Sequence, residues 1–474
     1  MSASQYQRNA DMEAAAKKRR TRLISALVFI IAVVVIVGSF VVNSNYFYTG
    51  TAAVTIGGTD YTAAELNYLY YNLAGNAGFS DTTSLDEQYY DENTTYEEYF
   101  RQQAEEYLVN LTVMVSAAEA EGMTLSEEST AYVEEQLTTA DAYAAVYSNG
   151  NTDSYLMNFY GKGFDRETFQ RMLEMQALAD QYSAQKLESF EYTEEELKAY
   201  YDEHKDEFDM FEYYVYFVEN GDDAEAAYAL ADEIALAETA EEFAQNVYDS
   251  ASEEDKPNYE DPESTRYISS GTTLDSYDYG AWLKESGRSE GDTTVIESSS
   301  GGGYYVLMFI DRDSNNYESV AMRHILAQVT ADENGEYTTE AINTARAEID
   351  EVVAEYESGD MTEDSFAALA EEYSDDTESA DEGGLYEHIY HNWMVQPIND
   401  YIFDSAREPG DTEVLYYEGP NYAGYHFVYF VGTDGLYCDY IAETAMSTED
   451  FNDWMAAETA KYPVTEHYSI RFVG

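Results

Sequence analysis

The chain has 474 residues, of which 45% are apolar and 15% are aromatic. This composition excludes a fully disordered chain, because such chains lack the aromatic residues that build a core. The charge is extreme, with 95 acidic residues against 23 lysines and arginines and a formal net charge of −72. We therefore expect no nucleic-acid partner, since phosphate backbones would be repelled. The single cysteine, Cys438, excludes an internal disulfide framework and multi-cysteine metal clusters.

The N-terminal segment has the pattern of a membrane anchor. Residues 1–22 are rich in lysine and arginine, and the uncharged run at 23–42 is long enough to cross a bilayer core as a helix. By the positive-inside rule, the sequence predicts a single-pass bacterial cell-membrane protein with a cytoplasmic N-terminus and the bulk of the chain outside. A cleaved signal peptide is the competing interpretation, although the run is long for one and no clear A-x-A site follows.

The next part of the chain, residues 44–208, reads as helical. It opens with a short strand, a Gly-Gly turn and a helix capped at Thr62, with Glu65 three residues further on. Long amphipathic stretches follow, and Ser126 and Thr193 are predicted to cap two of their helices.

Two blocks of the same order come after this helical part, each with a strand, helices and a closing strand. The strands are predicted at 210–219, 301–313, 319–329 and 424–432. Alignment of the blocks places Tyr214 opposite His324, and Tyr305 opposite His426. The repeat predicts two related domains.

Six short pieces follow one another in the second block: RHIL at 323–326, FAALAEEYSDD at 366–376, GGL at 383–385, WMVQPINDYIF at 393–403, PG at 409–410 and GYHF at 424–427. In this order and spacing they resemble the parvulin family of peptidyl-prolyl cis-trans isomerases. The pieces VTIGGTDYTAAELN and YTEEELKAYYDEHKDEF, from the helical part, are similar to the chaperone region of PrsA/SurA-type exported foldases.

The resemblance implies an α+β class, with an N-terminal transmembrane helix, a helical SurA/PrsA-like chaperone domain and two parvulin-like domains. Each parvulin-like domain would be a four-stranded antiparallel sheet with surrounding helices. The predicted boundaries are 1–22 for a cytoplasmic basic tail, 23–42 for the anchor, 44–208 for the chaperone domain, 209–314 for a degenerate parvulin-like domain, 317–434 for the isomerase domain, and 435–474 for a tail that packs back on the chaperone domain.

The resemblance also implies the site residues. His324, Asp376 and His426 would be catalytic, with the histidines facing each other and Asp376 beside the substrate carbonyl. The slot for the proline ring would be lined by apolar residues, which are Leu385, Met394, Ile398 and Phe403. From the residues alone, a strand histidine is most often a hydrogen-bonded core residue, and Asp376 could be a helix-end carboxylate.

Other features of the blocks favour plainer interpretations. The first block lacks both histidines and is expected to be inactive and structural. His388 and His391 are expected to face solvent in a loop. The sequence DRDSNN at 311–316 starts like a calcium loop, but it lacks the glycine at position six and the glutamate at position twelve, so it is predicted to be a turn. No cofactor or metal is expected.

The sequence therefore predicts a membrane-anchored extracytoplasmic peptidyl-prolyl isomerase and chaperone. Its partners would be unfolded or partly folded exported polypeptides, together with the membrane through the N-terminal helix. A pure holdase with two inactive isomerase copies is the alternative, and a surface protein that uses the fold for adhesion is a third. The acidity fits a solvated surface that keeps the protein soluble, and a halophilic source would explain it equally well.

Overall fold

The computed structural model describes residues 33, 44–79, 84–332, 335–419 and 421–474. These residues divide into two compact units. The first unit joins the described part of Met1–Glu191 to Ser447–Gly474, and the second unit is Tyr192–Met446.

The first unit is mainly helical. After the short helix α1 (Tyr46–Thr49) come the strands β1 (Ala52–Ile56) and β2 (Thr59–Thr62), and then the helices α2 (Ala63–Asn76), α3 (Tyr96–Ala120), α4 (Glu127–Tyr147), α5 (Thr152–Tyr160) and α6 (Arg166–Glu188). The predicted cap at Thr62 is confirmed, because its N–H donates to Glu65 Oε2 at 2.7 Å and the Glu65 N–H donates back to Thr62 Oγ1 at 3.4 Å. Ser126 caps α4 as predicted. Such caps satisfy donors that every helix start leaves open, which makes helix starts readable from sequence.

The second unit begins with α7 (Glu194–Phe208), capped by Thr193 as predicted, and contains two four-stranded antiparallel sheets. The first sheet has the order β4-β3-β6-β5, and its elements are β3 (Met210–Glu219), α8 (Ala224–Ile234), α9 (Ala240–Ser250), β4 (Arg266–Ser270), α10 (Gly271–Leu274), α11 (Gly280–Leu283), β5 (Thr293–Glu297) and β6 (Gly303–Asp313). The second sheet has the order β8-β7-β10-β9, and its elements are β7 (Glu318–Gln328), α12 (Thr339–Ser358), α13 (Glu363–Tyr373), β8 (Leu385–Ile389), α14 (Gln396–Ile402), β9 (Thr412–Glu418) and β10 (Ala423–Leu436). The shared strand order confirms the predicted repeat.

The two faces of the second sheet carry different cores. Ile325 and Phe427 belong to the cluster formed with α12 and α13. Met322 and Val428 belong to the cluster formed with α14. Because successive side chains of a strand point to opposite faces, the residues between these positions can be assigned to a face from the register.

The same alternation corrects the alignment of Tyr214 with His324. Tyr214 lies on the face of the first sheet that α8 and α9 cover, and its ring is 5.8 Å from that of Phe243. The opposite face, which corresponds to the face of Met322 in the second sheet, carries Tyr213 and Tyr305. The sequence alignment is one residue out of phase at this strand, and a shift of one residue moves a side chain to the other face of the sheet.

The chain ends with α15 (Tyr437–Thr459) and β11 (Val464–Glu466). Strand β11 pairs with β1, with Glu466 opposite Val54, so the C-terminal segment completes the sheet of the first unit. Helix α7 groups with the second unit, in which Leu197 and Tyr201 pack against Ala442. The domain boundaries themselves stay predictions.

The predicted fold class includes a transmembrane helix, and this part of the prediction is wrong. No helix among the described residues is both long enough and apolar enough to cross a membrane. The predicted anchor at 23–42, apart from Val33, and the basic tail at 1–22 lie outside those residues.

Candidate active site

Two histidines lie side by side in the middle of the second sheet. His324 on β7 pairs with Val428 on β10, and His426 pairs with Leu326. Since Met322 and Val428 face α14, alternation puts both histidines on that face. Their Nδ1 atoms are 3.4 Å apart, and their ring planes differ by 12°. Both side chains are buried, so their partners are protein groups.

The loop after α13 brings a carboxylate to His324. The Asp375 N–H donates to the Leu326 carbonyl at 2.9 Å, and the Gln328 N–H donates to Asp375 Oδ2 at 2.8 Å. These two bonds hold the loop against β7 and leave the next residue, Asp376, to point at the histidines. Asp376 Oδ2 lies 2.7 Å from His324 Nε2. The structure thus brings together the three residues predicted to be catalytic.

Three donors converge on the same oxygen of Asp376. Besides His324, the hydroxyls of Ser379 and Tyr386 donate to Oδ2 at 2.5 Å and 3.0 Å. The hydrogen bond with His324 is the main reason that the pKa of Asp376 lies well below its usual value, and partial burial opposes the shift. The carboxylate is therefore ionised at neutral pH, and its Oδ2 is fully occupied. Sequence reasoning did not identify Ser379 or Tyr386.

These partners assign the direction of each hydrogen bond. An ionised carboxylate only accepts, so His324 donates from Nε2, and its Nδ1 carries a lone pair when the ring is neutral. His426 then donates from Nδ1 to His324, and its Nε2 accepts from the Tyr422 hydroxyl at 3.4 Å. One chain of hydrogen bonds runs from Tyr422 through both histidines to Asp376.

The inner histidine does not carry a charge at neutral pH. Burial lowers the pKa of His426 to about 3, and the neighbouring His324 adds to the shift. A neutral His426 serves as a hydrogen-bond relay that fixes the ring of His324. Rotation about an amide bond requires no proton transfer, so this chain braces the site.

The predicted slot residues fall into two groups. Met394 and Phe403 are partly buried and pack on the face of the histidines. Ile398 is only 2% exposed, so it supports this surface from within α14 and does not line it. Leu415 on β9 also lies on this face, because it is paired with His426. A single leucine in an edge strand forms no motif, which explains why the sequence did not reveal it.

Leu385 lies on the wrong face for the predicted slot. It pairs with Arg323, whose side chain points away from the histidines toward α13. The next residue, Tyr386, pairs with Met322 and therefore shares the face of His324. The position predicted for Leu385 is thus taken by Tyr386.

The two loop histidines are packed, contrary to the expectation that they face solvent. His391 stacks on Tyr317 with 3.8 Å between ring centroids, and its ring meets the edge of Phe403 at 4.3 Å. His388 stacks on Tyr440 at 3.9 Å, and its N–H donates to Asp434 Oδ2 at 2.9 Å. These contacts hold the loop that leads to Met394 and α14.

The corresponding face of the first sheet is aromatic. Tyr213 lies 5.8 Å from Tyr279, and Tyr279 lies 5.2 Å from Tyr305. Residues 209–314 contain no histidine, so this face cannot form the hydrogen-bond chain of the second sheet.

The segment considered as a calcium loop is a turn at the end of β6, in which the Asn315 N–H donates to Asp313 Oδ1 at 2.9 Å. Over the described ranges, no group of three or more acidic, histidine or cysteine side chains is arranged to hold a metal ion.

Comparison with protein families gives three matches. Residues 192–318 and residues 304–426 each match a PPIC-type PPIase domain. Residues 12–189 match a SurA-like N-terminal domain. A comparison with curated proteins finds no match.

Solved structures with similarity to the chain include two PrsA proteins. One is the peptidylprolyl isomerase PrsA from Bacillus anthracis, with 18% identity and a TM-score of 0.19; the similarity covers 31% of this chain and 61% of that one. The other is the foldase protein PrsA from Streptococcus pneumoniae, with 12% identity and a TM-score of 0.24; it covers 80% of this chain and 93% of that one.

The family matches agree with the repeat of four-stranded sheets and with the site found in the second of them. Two PPIC-type domains follow a SurA-like N-terminal domain along one chain. The chain therefore belongs to the parvulin-type peptidyl-prolyl cis-trans isomerases that carry a SurA-like N-terminal domain.

Proposed function

We propose that the second PPIC-type domain catalyses cis-trans isomerisation of X–Pro bonds in unfolded or partly folded polypeptides. The observation that carries this proposal is the convergence of Asp376, His324 and His426 beside an apolar surface formed with Met394 and Phe403. The first domain is proposed to be inactive, since its corresponding face has neither histidine.

The geometry supports a mechanism without a covalent step. Amide resonance gives X–Pro rotation a barrier of about 18–20 kcal/mol. Met394, Phe403 and Leu415 offer apolar surface to a proline ring and exclude water from the amide. The twisted amide has less charge on its oxygen than the planar one, so removing water favours the twisted state. The braced histidines form a fixed floor that needs no reorganisation as the bond turns.

Turnover of an Ala-Pro tetrapeptide by the full chain tests this proposal. We expect the isomerisation rate, followed by NMR exchange or a protease-coupled assay, to rise in proportion to protein concentration. Met394→Ala should lower kcat/KM by about tenfold, because a partly buried side chain that contacts substrate is lost. Met361→Ala is the matched control, since Met361 is 57% exposed in the segment between α12 and α13, outside the site. A folded wild-type chain without turnover would contradict the proposal.

We further propose that the first unit holds unfolded polypeptides. A string of aromatic side chains runs along α4 and α5, in which the half-buried Tyr155 joins exposed neighbours: Tyr143 stacks on both Tyr147 and Tyr155, and Tyr155 lies against Phe159. Tyr147 is 71% exposed and Phe159 is 55% exposed. A contiguous apolar surface of this kind is typical of a binding site for apolar segments, and the acidic surroundings oppose self-association.

Suppression of aggregation of an unfolded test protein tests the holding function. The double variant Tyr147→Ser with Phe159→Ser should suppress aggregation less well than the wild type while keeping isomerase activity. Leu236→Ser is the control, because Leu236 is 74% exposed without belonging to this string. Unchanged suppression by the double variant would refute this assignment. A chain that suppresses aggregation without any isomerase activity would instead favour a pure holdase.

An extracytoplasmic location is part of the proposal. It is supported by the basic residues of 1–22 followed by the apolar run at 23–42, a pattern found in export signals. Fractionation of cells that express the full chain should find the protein outside the cytoplasm. Recovery in the cytoplasmic fraction alone would contradict this part.

A further inference from the structure

Tyr386 connects the hydrogen-bond chain of the site to the loop before α14. Its hydroxyl donates to Asp376 Oδ2 at 3.0 Å. Its ring meets His324 edge-on with 5.4 Å between centroids, and meets Trp393 edge-on at 5.9 Å. Trp393 is 44% exposed, so Tyr386 lies between the buried histidine and the open rim of the site.

The hydroxyl of Tyr386 keeps its proton at neutral pH and therefore remains a hydrogen-bond donor. Burial and the nearby Asp376 carboxylate raise the pKa of Tyr386 to about 12. Ser379 is 3% exposed and donates to the same carboxylate oxygen at 2.5 Å. The two hydroxyls and His324 together fill Oδ2, and hydrogen bonds to the charged form favour that form.

We propose that Tyr386, with Ser379, is a positioning residue for the isomerase reaction. The two hydroxyls fix the Asp376 carboxylate in place and keep it ionised, and Asp376 in turn fixes the ring of His324 at the floor of the substrate surface. This inference rests on the proposed isomerase function of the second domain. The sequence predicts the neighbouring Leu385 as a slot residue, and the inference gives a role to Tyr386 instead.

The variant Tyr386→Phe removes the hydroxyl and keeps the aromatic ring, so it tests the hydrogen bond alone. The ring keeps its contacts with His324 and Trp393, so KM for an Ala-Pro peptide should stay within about twofold of the wild type. The Asp376 carboxylate loses one of the hydrogen bonds that fix it and His324 during the rotation step, so kcat should fall by about tenfold at pH 7. With one donor fewer, the anion of Asp376 is less favoured and its pKa rises. Activity should therefore be lost at a higher pH on acidification than in the wild type.

Tyr373→Phe is the matched control. Its hydroxyl also donates to a carboxylate, Glu355 Oε2 at 3.3 Å, but it lies on α13 away from the histidines. Ser379→Ala provides a second test should Tyr386→Phe fail to fold, since it removes another donor from the same oxygen. It should lower kcat and shift the pH profile in the same direction.

The outcomes are distinct. A wild-type chain without turnover would refute the proposed function itself. An active wild type whose kcat and pH profile are unchanged in folded Tyr386→Phe would overturn only the role of Tyr386. An equal loss in Tyr373→Phe would also overturn it, because the effect would then not depend on Asp376. If only Ser379→Ala folds, an unchanged profile in that variant overturns the proposal.

Discussion

Replacing Asp376 by asparagine should impair the site without changing its shape. The substitution keeps the size of the side chain and removes its charge. The side chain of Asp376 is 15% exposed and that of His324 is 8% exposed, so water cannot replace the lost interaction readily. The neutral amide oxygen is a weaker acceptor than the carboxylate oxygen Oδ2, on which three donors converge. All three hydrogen bonds therefore lose the negative charge that strengthens them.

The expected magnitude follows from this loss of charge. A hydrogen bond to a charged group contributes about 1.5–3 kcal/mol, so we expect Asp376→Asn to lower the free energy of unfolding by about 2 kcal/mol. A similar loss in the transition state corresponds to a fall in kcat/KM of roughly 30-fold. Urea unfolding and turnover of an Ala-Pro peptide by the full chain measure the two quantities.

The adjacent carboxylate offers a matched control. Asp375 accepts from the Gln328 N–H and points away from the histidines, and an asparagine can still accept that bond. Asp375→Asn should therefore keep kcat/KM within about twofold of the wild type. The reasoning is refuted if Asp376→Asn is as active as the wild type, or if both variants lose activity equally.

Three further predictions concern pH, packing and substrate. Burial holds the pKa of His426 at about 3 in the folded chain, against a usual 6.5, so the unfolded chain binds more protons between these values and the free energy of unfolding falls as pH drops below 6.5. His426→Asn should therefore remove about 3 kcal/mol of the difference between the free energies of unfolding in urea at pH 7 and at pH 4. An unchanged difference would contradict this. Gly384→Ala should lower the free energy of unfolding by about 3 kcal/mol or more, because the new Cβ would lie 2.3 Å from the His324 carbonyl oxygen at a φ of +70°. Gly435→Ala, with a φ of +80° and no atom within 4 Å of the new Cβ, should lower it by only about 1–2 kcal/mol. Equal shifts in the thermal unfolding temperature of the two variants would disprove the steric explanation. Phosphoserine-Pro peptides should turn over no faster than Ala-Pro peptides, because all three arginines of residues 319–433 are paired with carboxylates, and a tenfold preference for phosphate would show this reasoning to be wrong.

The repeat and the central triad could be read from the sequence. Strand and helix patterns recur in both blocks, and the order of short motifs placed His324, Asp376 and His426 on elements that the fold brings together. Helix starts such as that at Thr62 could be predicted because capping chemistry is local.

The remaining features depend on register and tertiary packing. A shift of one residue separates Leu385 from Tyr386, and Tyr214 from Tyr213, and the pattern of these aromatic-rich strands is too uniform to fix the phase. The packing of His391 on Tyr317 joins segments far apart in sequence, which no local pattern reports.

The most direct test of the account compares isomerase activity after substitutions in each of the two related domains of the full chain. One variant carries His324→Ala and Met394→Ala in the second domain. The other carries Val215→Ala and Tyr305→Ala in the first domain, where both residues are partly buried on the corresponding face of the sheet. NMR exchange of an Ala-Pro peptide measures the rate for both, with circular dichroism as the check of folding. We expect the first variant to lose its catalysis and the second to keep the wild-type rate. Loss of catalysis in the second variant alone, or retention in the first, would contradict the assignment of the active site to the second domain.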